Sequence, residues 1–224
     1  MKKLLIINIL LSLLFSQQTT SYSWEDGVGT ILGSDGNLTN PINVGTTSGV
    51  SPHDGSRMLT VSESPISGTP KAYVAFIENL SAGDIVTASF YGWDENSGGS
   101  PSLRIWGNYT SNGDINDNQG SAGGNESYTS CDDCWDHVEQ TWTIASGKEA
   151  LRIEARLYSS SSGPDPQQYF IDLIEITALI DQNKDAQTHS DLGSYYLKAG
   201  DKVKALSNFK EALKQDPKDF KLIK

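Results

Sequence analysis

The hydrophobic pattern of residues 17–180 has a period of two over most of its length. Ala150–Tyr158 shows it without interruption: Leu151, Ile153, Ala155 and Leu157 fall on one side of an extended chain, and Arg152, Glu154, Arg156 and Tyr158 on the other. Ile85–Trp93 and residues 102–109 repeat it, with Val86, Ala88 and Phe90, then Leu103 and Ile105, on the apolar side. Further strands are expected at 22–32, 58–62, 71–78, 138–146 and 169–177, separated by clusters of Gly, Asn, Ser and Pro. Short strands with no helical period between them predict a mainly β fold built as an antiparallel two-sheet sandwich. The intervals 33–55 and 110–130 are expected to be long loops, and loops of that length in a compact domain commonly carry function.

The pattern changes at both ends. Lys2 and Lys3 precede an apolar run from Leu4 to Phe15, followed by Ser16 and polar Gln17. A run this short cannot span a bilayer, so residues 1–16 are expected to be a cleaved export signal, with no membrane insertion of the remainder. The expected destination is secreted: extracellular, periplasmic or cell-surface. After a polar linker at 181–185, residues 186–224 adopt a helical period, with helices expected at 188–199, capped by Gly200, and at 202–214, ending before Pro217.

Charge sharpens this division. The formal net charge is −11, yet residues 17–185 hold seven basic and 23 acidic side chains, a net of −16, whereas residues 186–224 hold eight Lys against five acids, a net of +3. That acidic surface disfavours nucleic acid. It is compatible with calcium, with neutral glycans, or with the basic tail of a neighbouring molecule.

Cys131 and Cys134 are the two cysteines. Their C-x-x-C spacing suits metal or redox chemistry in a cytosolic protein. A zinc site needs about four ligands, and His53, His137 and His189 are scattered, so a local disulfide after export is the favoured reading. Catalytic motifs are missing: there is no G-x-S-x-G, no Walker loop and no H-E-x-x-H. The chain is therefore read as a binder and not an enzyme.

The polar sides of three strands identify what it binds. Tyr91 and Trp93, Arg104, Trp106 and Asn108, and Arg152, Glu154, Arg156 and Tyr158 all fall opposite the apolar positions. Aromatic rings suit the C–H face of a pyranose, and charged and amide groups suit its hydroxyls. Tyr91, Trp93, Arg104, Trp106, Arg152, Glu154, Arg156 and Tyr158 are therefore the candidate ligand residues for a poly- or oligosaccharide. The alternative is that loops or tail helices cover these rows, making Trp93 and Trp106 a second small core.

Two family resemblances follow. Tyr22-Ser-Trp24-Glu25-Asp26-Gly27 resembles the first strand of secreted carbohydrate-binding modules with the galactose-binding-like jelly-roll fold, Gly55-Ser-Arg-Met-Leu-Thr-Val61 their second, and Tyr169-Phe-Ile-Asp-Leu-Ile-Glu-Ile176 their last. This implies a jelly roll over residues 17–180 and a structural calcium held by Glu25 and Asp172. In the tail, Leu192-Gly193-x-x-Tyr196, Gly200, Ala205-x-x-x-Phe209, Ala212 and Pro217 resemble a single tetratricopeptide repeat. One such helical hairpin cannot bury its own apolar face, so Leu192, Tyr196 and Phe209 are expected to dock on protein. The expected function is a secreted, non-catalytic glycan-binding module with a protein-docking tail. The alternative is an extracellular assembly protein that self-associates through that tail.

Overall fold

A computed structural model of the protein describes residues 15–94, 101–124, 128–131, 133–181 and 202–215, together with 194, 197 and 198. The chain divides into two compact units, residues 19–178 and residues 1–18 with 179–224. Among the described residues no helix is long and apolar enough to cross a membrane.

The first unit is a sandwich of two sheets. Its strands are β1 (Phe15–Tyr22), β2 (Gly33–Asp35), β3 (Leu38–Val44), β4 (Met58–Glu63), β5 (Lys71–Ile77), β6 (Ile85–Trp93), β7 (Ser102–Thr110), β8 (Gly120–Gly123), β9 (Asp136–Thr143), β10 (Ala150–Tyr158) and β11 (Gln167–Asp181). One sheet runs β3-β4-β11-β6-β9, with β1 also on β11; the other runs β2-β5-β10-β7-β8. The resolved pairings are antiparallel.

Strand alternation builds the core. Val86, Ala88 and Phe90 of β6, Leu59 and Val61 of β4, and Tyr169 and Ile171 of β11 have no exposed surface, as do Leu103, Ile105, Leu151, Ile153, Ala155 and Leu157 from the second sheet. Removing a side chain of this size from water contributes about 1.5–3 kcal/mol. Gly107 on β7 admits a large partner: a Cβ there would lie 2.8 Å from the indole of Trp142, which is buried from β9.

Several expectations are corrected. Residues 23–27 form no strand; they make a turn, with Trp24 at φ 60° and Gly27 at φ 70°. Asp26 stabilises it by accepting from the N–H groups of Val28 and Gly29 at 2.9 and 3.1 Å. The expected loops contain β3 and β8. Pro41 lies within β3, which is tolerable because β3 ends its sheet path and so leaves one side unpaired.

In the second unit one α-helix is described, α1 (Lys202–Gln215). The first helix of the expected hairpin lies largely outside the described residues, so a hairpin is not established. Leu192 and Tyr196 also lie outside them.

Candidate functional site

The outer face of the five-stranded sheet gathers six of the candidate ligand residues. In register, Arg104 lies opposite Arg156, Trp106 opposite Glu154, and Asn108 opposite Arg152. On the other flank Glu154 lies opposite Tyr73 of β5. A register shift between Ile153 and Glu154 turns Tyr73 to this side.

Glu154 organises the face. It has no exposed surface, and four N–H groups fill its carboxylate. Oε1 accepts from Arg152 Nε at 3.0 Å, Arg152 Nη2 at 2.7 Å and Asn108 Nδ2 at 2.6 Å. Oε2 accepts from Arg156 Nε at 2.9 Å. An isolated buried carboxylate would be several kcal/mol unfavourable, and two guanidiniums with an amide offset that penalty. The third nitrogen of the Arg152 guanidinium, Nη1, donates to the carbonyl of Ile115 at 2.7 Å, tying the 111–119 loop to the sheet.

Aromatic rings complete it. The guanidinium carbon of Arg156 sits 4.0 Å from the Trp106 ring centre, and that of Arg104 4.6 Å from the same ring and 4.8 Å from Tyr128. Arg152 lies 4.0 Å from Tyr73, whose hydroxyl pKa is raised by burial. Trp106 Nε1 donates to Ser121 Oγ at 3.0 Å, and Arg104 donates to Tyr128 OH and the Gly124 carbonyl at 3.0 and 2.6 Å. Tyr128 meets Tyr158 edge-on at 5.2 Å. Each cation–aromatic contact contributes about 0.5–2 kcal/mol and fixes the planes. Arg156 keeps both Nη atoms without a partner among the described residues. Sequence reasoning did not select Tyr73, Tyr128 or, as a ligand-site residue, Asn108.

Tyr91 and Trp93 lie elsewhere, on β6 of the six-stranded sheet. Trp93 packs edge-on against Phe170 at 5.3 Å, in a small cluster with Val50, Met58, Val44 and Trp135. Tyr91 stacks on His53 at 3.5 Å and lies opposite His137 in register, ring to ring 4.9 Å. The eight candidates therefore form two groups on two sheets.

Glu25 and Asp172 hold the 53–57 segment. Asp172 Oδ2 accepts from the N–H groups of His53 and Asp54 at 2.9 and 3.0 Å, and Oδ1 from Leu173 at 2.8 Å. Glu25 Oε1 accepts from the N–H groups of Ser56 and Arg57 at 2.8 and 2.7 Å, and Oε2 from Ser56 Oγ at 2.8 Å. Calcium needs a shell of oxygens free to coordinate. Here N–H and O–H donors occupy the carboxylates, and no group of three or more His, Cys, Asp or Glu among the described residues is arranged to hold a metal. Both carboxylates clasp the 53–57 segment. Cys131 and Cys134 lie at disulfide distance, with Cα atoms 5.6 Å apart. On α1, Phe209 is half-buried, and Ala205 and Ala212 are buried.

Comparison with solved structures now places the architecture. Over 71% of its length the chain matches 49% of the N-terminal CBM22-1-CBM22-2 tandem domain of Paenibacillus barcinonensis Xyn10C, with a TM-score of 0.50 and 19% identity. The fold is that of a carbohydrate-binding-module sandwich. The chain spans about half the length of that tandem. It is also similar to the CBM22-1 xylan-binding domain of the same protein, at 15% identity over 72% of this chain and 94% of that one, TM-score 0.43. A further similar structure is the C-terminal family 22 carbohydrate binding module of Clostridium thermocellum Xyn10B, at 13% identity over 72% and 93%, TM-score 0.44. No family model and no curated protein matches the sequence.

Proposed function

We propose that the sandwich is a non-catalytic module that binds a poly- or oligosaccharide on the outer face of its five-stranded sheet. The observation that carries this reading is the pair of unspent Arg156 Nη atoms beside the partly exposed Trp106 ring. A pyranose needs such a combination, an aromatic surface for its C–H face next to rigid donors for its oxygens. Preorganisation supports it further, because Glu154 fixes Arg152 and Arg156 before any ligand arrives. Glu154 is unsuited to acid–base catalysis there, since both oxygens are occupied and it is sealed from solvent. Export by residues 1–16 and protein docking by the tail belong to the same proposal.

The test is retention of the full chain on a panel of polysaccharides. Trp106→Ala should lower affinity for a retained polymer at least tenfold, about 1.4 kcal/mol. Unchanged affinity would remove Trp106 from the site. The assembly reading keeps one supporting observation, Val203 and Leu206 on α1, which are 81% and 56% exposed.

A further inference from the structure

A cavity of about 700 Å³ opens on the outer side of the six-stranded sheet, lined by Trp93, Trp135, His53, Pro52, Ser48 and Asp133 among others. It shares no residue with the Trp106 face. We infer that this cavity is a second glycan-contact site, taking an uncharged sugar residue or chain end.

Size is suitable: pockets for small ligands span about 300–1,000 Å³. Its aromatic walls are held in place before any ligand binds. Trp93 leans on Phe170, Trp135 Nε1 donates to the Ser51 carbonyl at 2.9 Å, and His53 stacks on Tyr91 at 3.5 Å. Val50, Met58 and Phe170 form a dry backing to the same cluster. Little side-chain freedom is left to lose on binding.

The backbone of two lining segments is strained. Ser48 and Asp133, both non-glycine, hold φ angles of 52° and 51°. Such conformations cost about 1–3 kcal/mol each and concentrate at ligand clamps. Each is held by its surroundings: Ser48 Oγ donates to Gln168 Oε1 at 3.1 Å, and Asp133 lies between the paired Cys131 and Cys134.

Polarity selects the ligand. The Asp133 carboxylate and the His53 imidazole have no hydrogen-bond partner among the described residues. A carboxylate only accepts, whereas a neutral imidazole offers one donor and one acceptor. Sugar hydroxyls, which both donate and accept, match that pair; an ammonium, which only donates, leaves the imidazole donor unanswered. No Lys or Arg lines the cavity among the described residues. Uronate and sulfated sugars would therefore meet the Asp133 charge with nothing to offset it.

The experiment is a glycan array of neutral, uronate and sulfated oligosaccharides probed with the full chain, Trp106→Ala, Asp133→Gly and Trp135→Phe. Glycine adopts the backbone of residue 133 without strain, so Asp133→Gly removes the carboxylate while keeping the turn. Trp135→Phe keeps an aromatic wall while giving up the bond to Ser51 and part of the ring surface. We expect residual binding of neutral sugars to survive in Trp106→Ala, and that residual binding to fall at least tenfold when Asp133→Gly or Trp135→Phe is combined with Trp106→Ala. If Trp106→Ala abolishes all binding while Asp133→Gly binds like the wild type, the second site is refuted and the Trp106 face stands. If Asp133→Gly abolishes binding and Trp106→Ala does not, the second site stands and the first reading falls. A folded wild-type chain that binds no neutral sugar overturns the second site, and one that binds no sugar at all overturns both.

Discussion

Asp172 shows how one buried group sets a pH dependence. It has no exposed surface, and burial pushes its carboxyl up to about 6, although the N–H groups of Asp54, Leu173 and His53 pull it back. The folded state thus holds this proton more tightly than the unfolded chain, whose Asp titrates near 3.8. Stability from this group is fully present below pH 3.8 and is lost as pH rises through about 6, an effect of about 3 kcal/mol. Glu25, Asp26, Asp35 and Asp117 act in the opposite sense. Main-chain and side-chain donors hold their carboxyls below the usual range, so their contribution is lost on acidification. Whole-protein stability mixes both signs, and a difference isolates the first. The unfolding free energy of wild type minus that of Asp172→Asn should rise by up to about 3 kcal/mol between pH 7 and pH 4 in urea titrations. A flat difference would show that Asp172 titrates as an ordinary carboxylate.

At the level of strands, legibility followed the side chains. β6, β7 and β10 were readable because their alternation is clear, and on β7 and β10 it correctly set Trp106, Arg152 and Arg156 opposite the core. β3 was hidden by Pro41 and by Asn40, which has a φ of 50° at the register shift between Thr39 and Ile42. β8 is Gly-Ser-Ala-Gly and has no hydrophobic signature at all. Tyr73 was missed because the irregularity opposite Glu154 resets the alternation of β5, and nothing local in the sequence announces it. Alternation also states which face a residue takes but not which sheet its strand joins. Tyr91 and Trp93 were therefore grouped with Trp106 and Arg156 although they belong to different sheets. Gly107 tests the packing that the two sheets share. A Cβ there meets Trp142 Cε2 at 2.8 Å, Trp142 Nε1 at 2.9 Å and Leu151 Cδ1 at 3.2 Å. Trp142 is itself fixed by donating to the Gly123 carbonyl at 2.7 Å, so neither neighbour yields easily. Gly107→Ala should destabilise by about 1–3 kcal/mol, read as a lower urea midpoint with an unchanged slope. An unchanged midpoint would show that the indole moves freely.

The charge separation belongs to the whole chain: residues 17–185 carry −16 and residues 186–224 carry +3. Opposite charges on two parts of one chain favour contact between copies as much as within one, and screening by salt weakens either. α1 adds an apolar reason for contact. Ala205 and Ala212 are 2% and 5% exposed, but Val203 and Leu206 remain open to solvent. A face of that kind gains by burial against another surface, about 25 cal/mol per Å² of apolar area. Deleting residues 185–224 separates the possibilities cleanly, because β11 ends at Asp181 and the sheet keeps its strands. If copies associate through the tail, light scattering will give a lower mass for the truncated chain, and the full chain will lose mass between low and high salt. Equal masses at every salt concentration would refute assembly through the tail. The glycan-binding reading would be unaffected, since both candidate sites lie within residues 19–178.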